Sequence, residues 1–229
     1  MTKDLKTAPR VGLNFSEIGM ALLYSIARTV GLFINRCCDR RLHIETSREG
    51  FEKRGRSFFE AGKFADGVLY TPVSYRALRK IGRHLRERER DVFVDLGCGK
   101  GRVICYYDTY RFKKMIGVEL IKELADIARQ NVGNLKVRNN PIEIVNADAV
   151  DVDLKEGTLF FLYNPFGIKT LSSVIAAIKD SLRTHPRKIR IIYVNPVHAD
   201  LLNAQEWLET EEVINDFLCG TRIWRSVQT

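Results

Sequence analysis

The segment VFVDLGCGKGR at residues 92–102 constrains the fold of this chain more than any other stretch. Residues 92–94 are apolar and suit a buried parallel strand, and Asp95 follows them directly before a glycine-rich turn. The glycines of that turn are Gly97, Gly99 and Gly101. Because glycine has no side chain, a ligand can lie against the main chain there. The segment therefore predicts a strand, a nucleotide-binding turn and a helix in an α/β fold.

The spacing of the glycines excludes two common nucleotide sites. Dinucleotide-binding turns follow G-x-G-x-x-G, whereas this turn is G-x-G-x-G and lacks the pyrophosphate cradle. Lys100 lies between the last two glycines, but a P-loop requires G-x-x-x-x-G-K-[ST], which this sequence does not fit. The spacing thus disfavours an NAD-dependent oxidoreductase and excludes a P-loop ATPase.

Two further apolar segments end in acids. The segment KMIGVEL at residues 114–120 predicts a second strand that ends at Glu119, where a carboxylate is suited to hold a ribose diol. The segment PIEIVNADAV at residues 141–150 predicts a third strand followed by Asp148, placed to accept a hydrogen bond from an adenine amino group. Since parallel strands end at one edge of a sheet, these acids are expected to line one ligand site.

Together these motifs resemble those of class I S-adenosylmethionine-dependent methyltransferases, over roughly residues 70–227. DLGCGKG resembles the family's first motif, GVEL its second-strand acid, NADA its adenine-side motif and YNPFG its fourth-strand motif. DLGCGKG combined with YNPFG is similar to a bacterial group of these enzymes. The resemblance implies S-adenosylmethionine as cofactor. The cofactor-binding residues that it implies are Tyr70, Asp95, Leu96, Gly97, Cys98, Gly99, Gly101, Glu119, Leu120, Asp148, Ala149 and Asn164.

The resemblance also implies a Rossmann-like α/β fold with a seven-stranded, mostly parallel sheet. The implied strand order is 3-2-1-4-5-7-6, with the last strand antiparallel. Other segments fit that scheme: a fourth strand within residues 158–167, a fifth at 188–194, a helix at 199–208, and a closing hairpin of 212–218 with 221–227.

The end of the fourth strand suggests where the methyl group is transferred. Methyl transfer needs donor and acceptor held in line in a dry site, so positioning groups matter more than acids and bases. Asn164, Pro165 and Phe166 are the candidate catalytic residues, because an amide oxygen and a main-chain carbonyl can accept hydrogen bonds from an amine beside an aromatic ring. They resemble the Asn-Pro-Pro-aromatic motif of nitrogen methyltransferases, with Phe166 in place of the second proline. A turn that merely terminates the strand is the alternative interpretation.

Charge divides the chain into two parts. Residues 1–90 contain 19 Lys and Arg against 10 Asp and Glu, whereas residues 91–229 contain 18 of each, so the formal net charge of +9 comes entirely from the first part. We therefore expect a basic, partly helical extension at residues 1–69 and a methyltransferase domain at 70–229. The extension could attract nucleic acid, an acidic protein or anionic lipid.

Within the extension, residues 18–34 are mostly apolar but contain Arg28. At about 1.5 Å per residue the segment is shorter than a hydrocarbon core of roughly 30 Å, and its apolar residues recur every four positions. This pattern predicts an amphipathic helix. Packing on the domain or on a second subunit is favoured, and peripheral contact with a membrane and a true span remain alternatives. The cofactor and the lack of a cleavage site predict a cytoplasmic protein.

Two segments lie between this helix and the glycine turn. Residues 50–67, with four glycines among charged residues and phenylalanines, predict a lid over the cofactor. Thr71 and Pro72 predict the start of a helix that runs to Arg90. Its basic side could contact nucleic acid; the residues of that side are Arg76, Arg79, Lys80, Arg83, Arg86 and Arg90.

The five cysteines form neither a disulfide framework nor a C-x-x-C pair, and the four histidines are scattered, so no metal site is expected. The leading hypothesis is an S-adenosylmethionine-dependent methyltransferase acting on a nitrogen of a protein, nucleic acid or small amine. The alternative is a catalytically silent domain of this fold that binds nucleic acid or membrane through its basic extension.

Overall fold

The computed structural model describes residues 15–47, 70–85, 88–216 and 219–227. Within these residues the strands form one sheet of seven with the order β3-β2-β1-β4-β5-β7-β6. The strands are β1 Val92–Leu96, β2 Lys114–Glu119, β3 Ile142–Asn146, β4 Leu159–Tyr163, β5 Arg190–Val194, β6 Leu208–Ile214 and β7 Thr221–Ser226. β7 is antiparallel to both β5 and β6, and the other neighbouring strands are parallel. The predicted fold class is confirmed.

The helices pack on both faces of the sheet, which explains why its central strands are buried and mostly apolar. The helices are α1 Phe15–Leu42, α2 Tyr75–Gly82, α3 Arg102–Tyr107, α4 Lys122–Asn134, α5 Ile168–Thr184 and α6 Ala199–Asn203. Side chains of β4 alternate between two cores. Phe161 joins the core that contains α2 and α3, and Phe160 joins the core that contains α5. A short 3₁₀ turn, Arg88–Arg90, leads into β1.

The C-terminal helix is shorter than predicted, and the last hairpin begins earlier. We expected a helix over residues 199–208, but α6 ends at Asn203 and Leu208 already belongs to β6. The reason is tertiary pairing. The backbone N–H of Val227 donates to the Trp207 carbonyl at 3.0 Å, and Leu208 pairs with Ser226 across the antiparallel ladder.

The helix before β1 also differs from the prediction at both ends. It begins at Tyr75 rather than after Thr71, because the Ser74 side chain accepts a hydrogen bond from the Ala77 backbone N–H at 3.2 Å and caps it. It ends at Gly82 rather than at Arg90. At Gly82 a side chain would overlap the Tyr110 ring, so the helix ends where its backbone approaches this ring closely.

The predicted amphipathic helix is present as α1 but is longer than expected, and its apolar face does not pack on the domain. Leu22, Ile26, Val30 and Ile34 are all exposed, which corrects the favoured expectation of packing on the domain. The opposite face of α1 makes the contacts with the domain, through Asn35 and Asp39. Within the described part of the chain, no helix has the length and apolar character needed to cross a bilayer. The lid predicted over residues 50–67 lies outside the described residues.

Candidate functional site

The glycine turn, residues 97–101, is held in a conformation that glycine adopts readily. Gly97, Gly99 and Gly101 have φ angles of 81°, 55° and 79°. The N–H groups of Gly97 and Cys98 both donate to the Val118 carbonyl of β2 at 2.9 Å. These bonds fix the turn to the end of the neighbouring strand.

Glu119 connects the end of β2 to this turn. Its Oε2 accepts a hydrogen bond from the Gly99 N–H at 2.8 Å, and its Oε1 accepts one from the Ile121 N–H at 2.9 Å. Burial raises the pKa of Glu119, and hydrogen bonds from backbone N–H groups oppose that rise. Each carboxylate oxygen keeps a second lone pair for a ligand hydroxyl.

Asp95 supplies a second buried carboxyl at the end of β1. Its Oδ2 has no hydrogen-bond partner among the described residues, although Asp95 is only 2% exposed. Burial raises the pKa of the Asp95 carboxyl well above its usual range, and the nearby Glu119 carboxyl raises it further. A buried acceptor without a donor is costly, so this position is suited to a donor, and best to a cationic one.

The turn after β4 lies directly against the glycine turn. A Cβ atom on Gly97 would come within 2.5 Å of the Pro165 Cβ, so glycine is required for this approach. Asn164 has a φ of 43°, in the left-handed region that non-glycine residues adopt rarely. Phe166, which we expected to cover the methyl acceptor, is partly buried and packs against the core beneath α5.

Tyr193 of β5 holds the Asn164 side chain. The Tyr193 hydroxyl donates to Asn164 Oδ1 at 3.0 Å. Burial raises the pKa of Tyr193, and a hydrogen bond from the His198 backbone opposes that rise. The hydroxyl therefore keeps its proton and fixes the orientation of the amide, which leaves one lone pair on Asn164 Oδ1 for a substrate.

Tyr70 covers the glycine turn from the N-terminal side. A side chain on Gly99 would overlap the Tyr70 ring, so this ring lies against the main chain of the turn. The Tyr70 hydroxyl donates to the Thr46 carbonyl at 2.9 Å. Lys100 lies beneath the same ring, and its Nζ donates to Glu45 Oε2 at 2.8 Å. Residues 44–47 thus position the aromatic residue that the resemblance placed over the cofactor.

The remaining predicted cofactor residues occupy the same edge of the sheet. Asp148 is half-buried, and its Oδ1 accepts a hydrogen bond from the Val150 N–H at 3.1 Å. Leu120 is 45% exposed and can contact a ligand, whereas Leu96 is fully buried in the core. Two more of these residues, Cys98 and Ala149, are buried. Burial raises the pKa of the Cys98 thiol well above its usual range.

A buried ion pair joins α1 to the start of α3. Arg102 Nη2 lies 3.1 Å from Asp39 Oδ2, and both residues are buried. The Thr46 hydroxyl and the Tyr75 hydroxyl also donate to Asp39, at 2.9 and 2.5 Å. Arg102 Nε donates to the Thr46 hydroxyl at 2.6 Å and Arg102 Nη1 to the Val73 carbonyl at 3.0 Å. This cluster anchors the N-terminal helix beside the glycine turn.

Sequence reasoning missed Arg102, Asp39 and Tyr193. Arg102 follows the last glycine of the turn, and Asp39 is an acid within a basic helix, but neither pattern indicates that the two side chains meet across 63 residues. Tyr193 gave a detectable signal, because its hydroxyl interrupts the apolar residues 191–194 of β5.

The basic side of α2 is partly neutralised. Arg76 Nε and Lys80 Nζ lie 3.3 and 2.6 Å from Asp216 Oδ2, so part of the charge that we assigned to nucleic-acid contact is paired within the chain. Across the described ranges, no three metal-ligating side chains lie close enough together to bind an ion.

Comparison with known proteins identifies the domain. Residues 94–185 match the family described as methyltransferase domain, and this range contains the glycine turn, Glu119, Asp148 and Asn164. Residues 94–185 thus form a methyltransferase domain. S-adenosylmethionine is the cofactor that the resemblance of the glycine turn and the strand-end acids led us to expect for it.

Two curated relatives match part of the chain. A protein-lysine N-methyltransferase of Saccharolobus islandicus is 29% identical over 97 residues, covering 42% of this chain and 60% of the relative. A histone-lysine N-methyltransferase of Dictyostelium discoideum is 31% identical over 102 residues, covering 39% of this chain and 6% of the relative. The chain thus matches less than two thirds of the length of each.

Solved structures share the fold. An RNA methyltransferase of Salinibacter ruber, in complex with S-adenosylhomocysteine, superposes with a TM-score of 0.54 at 17% sequence identity. The matched region covers 69% of this chain and 95% of the Salinibacter chain. An S-adenosylmethionine-dependent methyltransferase of Aquifex aeolicus has a TM-score of 0.53 at 11% identity and covers 66% of this chain and 89% of its own. These similarities concern the fold of the methyltransferase domain.

The residues at this edge of the sheet fit S-adenosylmethionine. Glu119 retains acceptor capacity for ribose hydroxyls, and the half-buried Asp148 follows β3, where we expected a carboxylate to meet the adenine. The unpartnered Asp95 Oδ2 is suited to the ammonium group of the methionine part, which is both a donor and a cation.

Replacing Gly97 with alanine is expected to destabilise the domain by roughly 1–3 kcal/mol. The new Cβ would meet Pro165 at 2.5 Å, and alanine disfavours the φ of 81°. Urea unfolding would measure the loss. Gly133→Ala is the matched control, because Gly133 lies in α4 with nothing within 4 Å of a new Cβ, and alanine favours the helix. Equal stability of the two variants would contradict the close approach of Pro165 to Gly97.

Proposed function

We propose that this chain is a protein-lysine N-methyltransferase. The observation that carries the proposal is the position of Asn164. It is held in the left-handed region at the end of β4, oriented by Tyr193, and followed by Pro165, which lies against the glycine turn. A polar acceptor is thereby placed at the carboxyl ends of the strands, beside the cofactor residues.

This arrangement suits an amine substrate. S-adenosylmethionine, when bound, supplies a methyl group on a positively charged sulfur. The chain must then hold a nitrogen in line with that methyl group and exclude water. The free lone pair of Asn164 Oδ1 and the main-chain carbonyls of the turn can accept the hydrogen atoms of an amine and aim its own lone pair. Both curated relatives are named as lysine methyltransferases, which supports an amine on a lysine side chain.

Transfer of labelled methyl groups tests the proposal. The full chain would be incubated with S-adenosylmethionine carrying a labelled methyl group and with a protein extract, and the labelled protein then hydrolysed to amino acids. We expect the label in methylated lysine. A lysine amine has a pKa of about 10.4 and must lose a proton before it can accept the methyl group, so the initial rate should increase with pH. Label in nucleic acid, in lipid or in another amino acid would overturn the proposal.

Replacing Tyr193 with phenylalanine is expected to lower kcat about tenfold while leaving the KM for S-adenosylmethionine unchanged, since the step depends on positioning. The change removes the hydroxyl that orients Asn164 and keeps the ring. Tyr107→Phe is the matched control. It also removes a buried hydroxyl, bonded to the Leu78 carbonyl at 2.9 Å, but lies in α3 away from Asn164. If both variants lost the same activity, Tyr193 would have no positioning role.

A further inference from the structure

The long helix α1 has a row of exposed apolar side chains on one face. Each is between 45 and 69% exposed, although large apolar side chains of a folded domain are usually buried. The apolar row consists of Leu22, Leu23, Ile26, Val30, Phe33 and Ile34. It extends for about 18 Å along the helix axis. A row of this length on a single face is typical of a surface that binds another surface.

The direction of the apolar row is fixed by the contacts on the other face of α1. Asn35 Oδ1 accepts a hydrogen bond from the Tyr75 N–H at 3.2 Å, and Asp39 forms the buried ion pair with Arg102. Leu42 packs against the core beside them. The helix therefore cannot turn its apolar row toward the domain without breaking a buried ion pair.

The charges of α1 are positive and exposed. Between residues 22 and 42 the sequence has four arginines and a single acid, Asp39, which is buried in its ion pair. The four arginines are exposed: Arg28, Arg36, Arg40 and Arg41. The surface that residues 22–42 of α1 offer to a partner thus combines apolar side chains with positive charge, because the one acid of this range is buried.

Two of these arginines lie on the same face as the apolar row. Arg40 and Arg41 follow Phe33 and Ile34 by seven residues, which is two turns of an α-helix. Along this face the surface therefore changes from apolar to cationic as the helix approaches the domain. A lipid bilayer presents the matching pair of environments, acyl chains below a layer of phosphate groups.

We propose that this face of α1 binds the surface of an anionic lipid bilayer. The helix is inclined to the interface, so that the apolar row enters the upper acyl chains and Arg40 and Arg41, nearer the domain, stay at the phosphates. The domain stays on the aqueous side, because it is attached to the opposite face of the helix. A second copy of the chain is a poorer match, since pairing two such faces would bring exposed arginines together without an acid to pair them.

Vesicle sedimentation with the full chain tests the proposal. Vesicles of phosphatidylcholine alone would be compared with vesicles that also contain phosphatidylglycerol, at low and at high ionic strength. We expect binding to the anionic vesicles, weak binding to the neutral ones, and loss of binding as salt screens the arginines. Equal binding to both kinds of vesicle would overturn the proposal of an anionic partner.

Variants separate the apolar row from the charges. V30S/F33S should lower vesicle binding by more than about 100-fold, because two apolar side chains no longer enter the bilayer. R40Q/R41Q should lower vesicle binding about 25-fold, because each arginine near an anionic surface contributes a factor of roughly five. Leu32→Ser is the matched control, since Leu32 is 55% exposed but lies outside the row, and its binding should be unchanged.

The proposal that the apolar row enters the bilayer would be overturned if V30S/F33S bound vesicles as tightly as the unaltered chain. It would equally be overturned if the chain ignored vesicles and formed a dimer in sedimentation velocity that V30S/F33S abolished. Because the altered residues lie away from the glycine turn, all variants should bind S-adenosylhomocysteine as the unaltered chain does. The result for the membrane is therefore independent of the identity of the methyl acceptor.

Discussion

Replacing Glu119 with alanine is expected to weaken binding of S-adenosylhomocysteine by more than about 100-fold and to abolish methyl transfer. Glu119 accepts hydrogen bonds from the N–H groups of Gly99 and Ile121, at 2.8 and 2.9 Å, and each carboxylate oxygen keeps acceptor capacity for a ligand hydroxyl. Hydrogen bonds to a charged group contribute about 1.5–3 kcal/mol each, so loss of the ribose contacts alone accounts for this factor. Isothermal titration calorimetry would measure the affinity.

Glu123→Ala is the control for this variant. Glu123 lies four residues further on, in the first turn of α4, and its side chain is exposed. Its replacement should leave the affinity unchanged. Circular dichroism would establish that both variants are folded. Affinity of Glu119→Ala within a few-fold of the unaltered chain would show that this carboxylate does not hold the cofactor.

Replacing Arg102 with methionine is expected to lower the free energy of unfolding by about 3–5 kcal/mol. Methionine fills much of the space but leaves the Asp39 carboxylate buried at 7% exposure without the guanidinium that lies 3.1 Å away. The Thr46 hydroxyl and the Val73 carbonyl lose donors as well. Urea unfolding monitored by circular dichroism would measure the difference.

A second variant separates loss of the ion pair from loss of packing. D39L/R102M removes both charges, so its stability should lie closer to that of the unaltered chain than R102M alone. Arg183→Met is the surface control. Its ion pair with Asp180 is exposed at both ends and should contribute at most about 1 kcal/mol. If Arg102→Met cost no more than this control, the buried pair would not be what anchors α1.

The sheet could be predicted from local patterns because its strands are buried on both sides. The apolar runs at residues 92–94 and 159–163 are continuous, and each is followed by polar residues or a turn. The end of α6 could not be predicted, since Leu208 becomes a strand only by pairing with Ser226. The division of the chain at residue 70 remains a prediction.

At the candidate site, the residues adjacent in sequence were identified and those brought by tertiary contact were missed. The glycine turn and the acids at the ends of β2 and β3 could be recognised because each comes at the end of an apolar strand. Parallel strands end at the same edge of a sheet, so these groups lie together there. Tyr193 reaches Asn164 across 29 residues, and nothing local indicates this contact.

The sequence by itself determined the α/β class, the glycine turn and the acids that suit S-adenosylmethionine, because these depend on local backbone preference and on the periodicity of buried strands. Only the tertiary structure decided which face of α1 is exposed. The apolar repeat of residues 18–34 favours burial of that face, whereas the Asp39–Arg102 pair fixes the opposite face to the domain. A buried ion pair is strongly directional, so it sets the orientation of the helix where hydrophobicity alone would not.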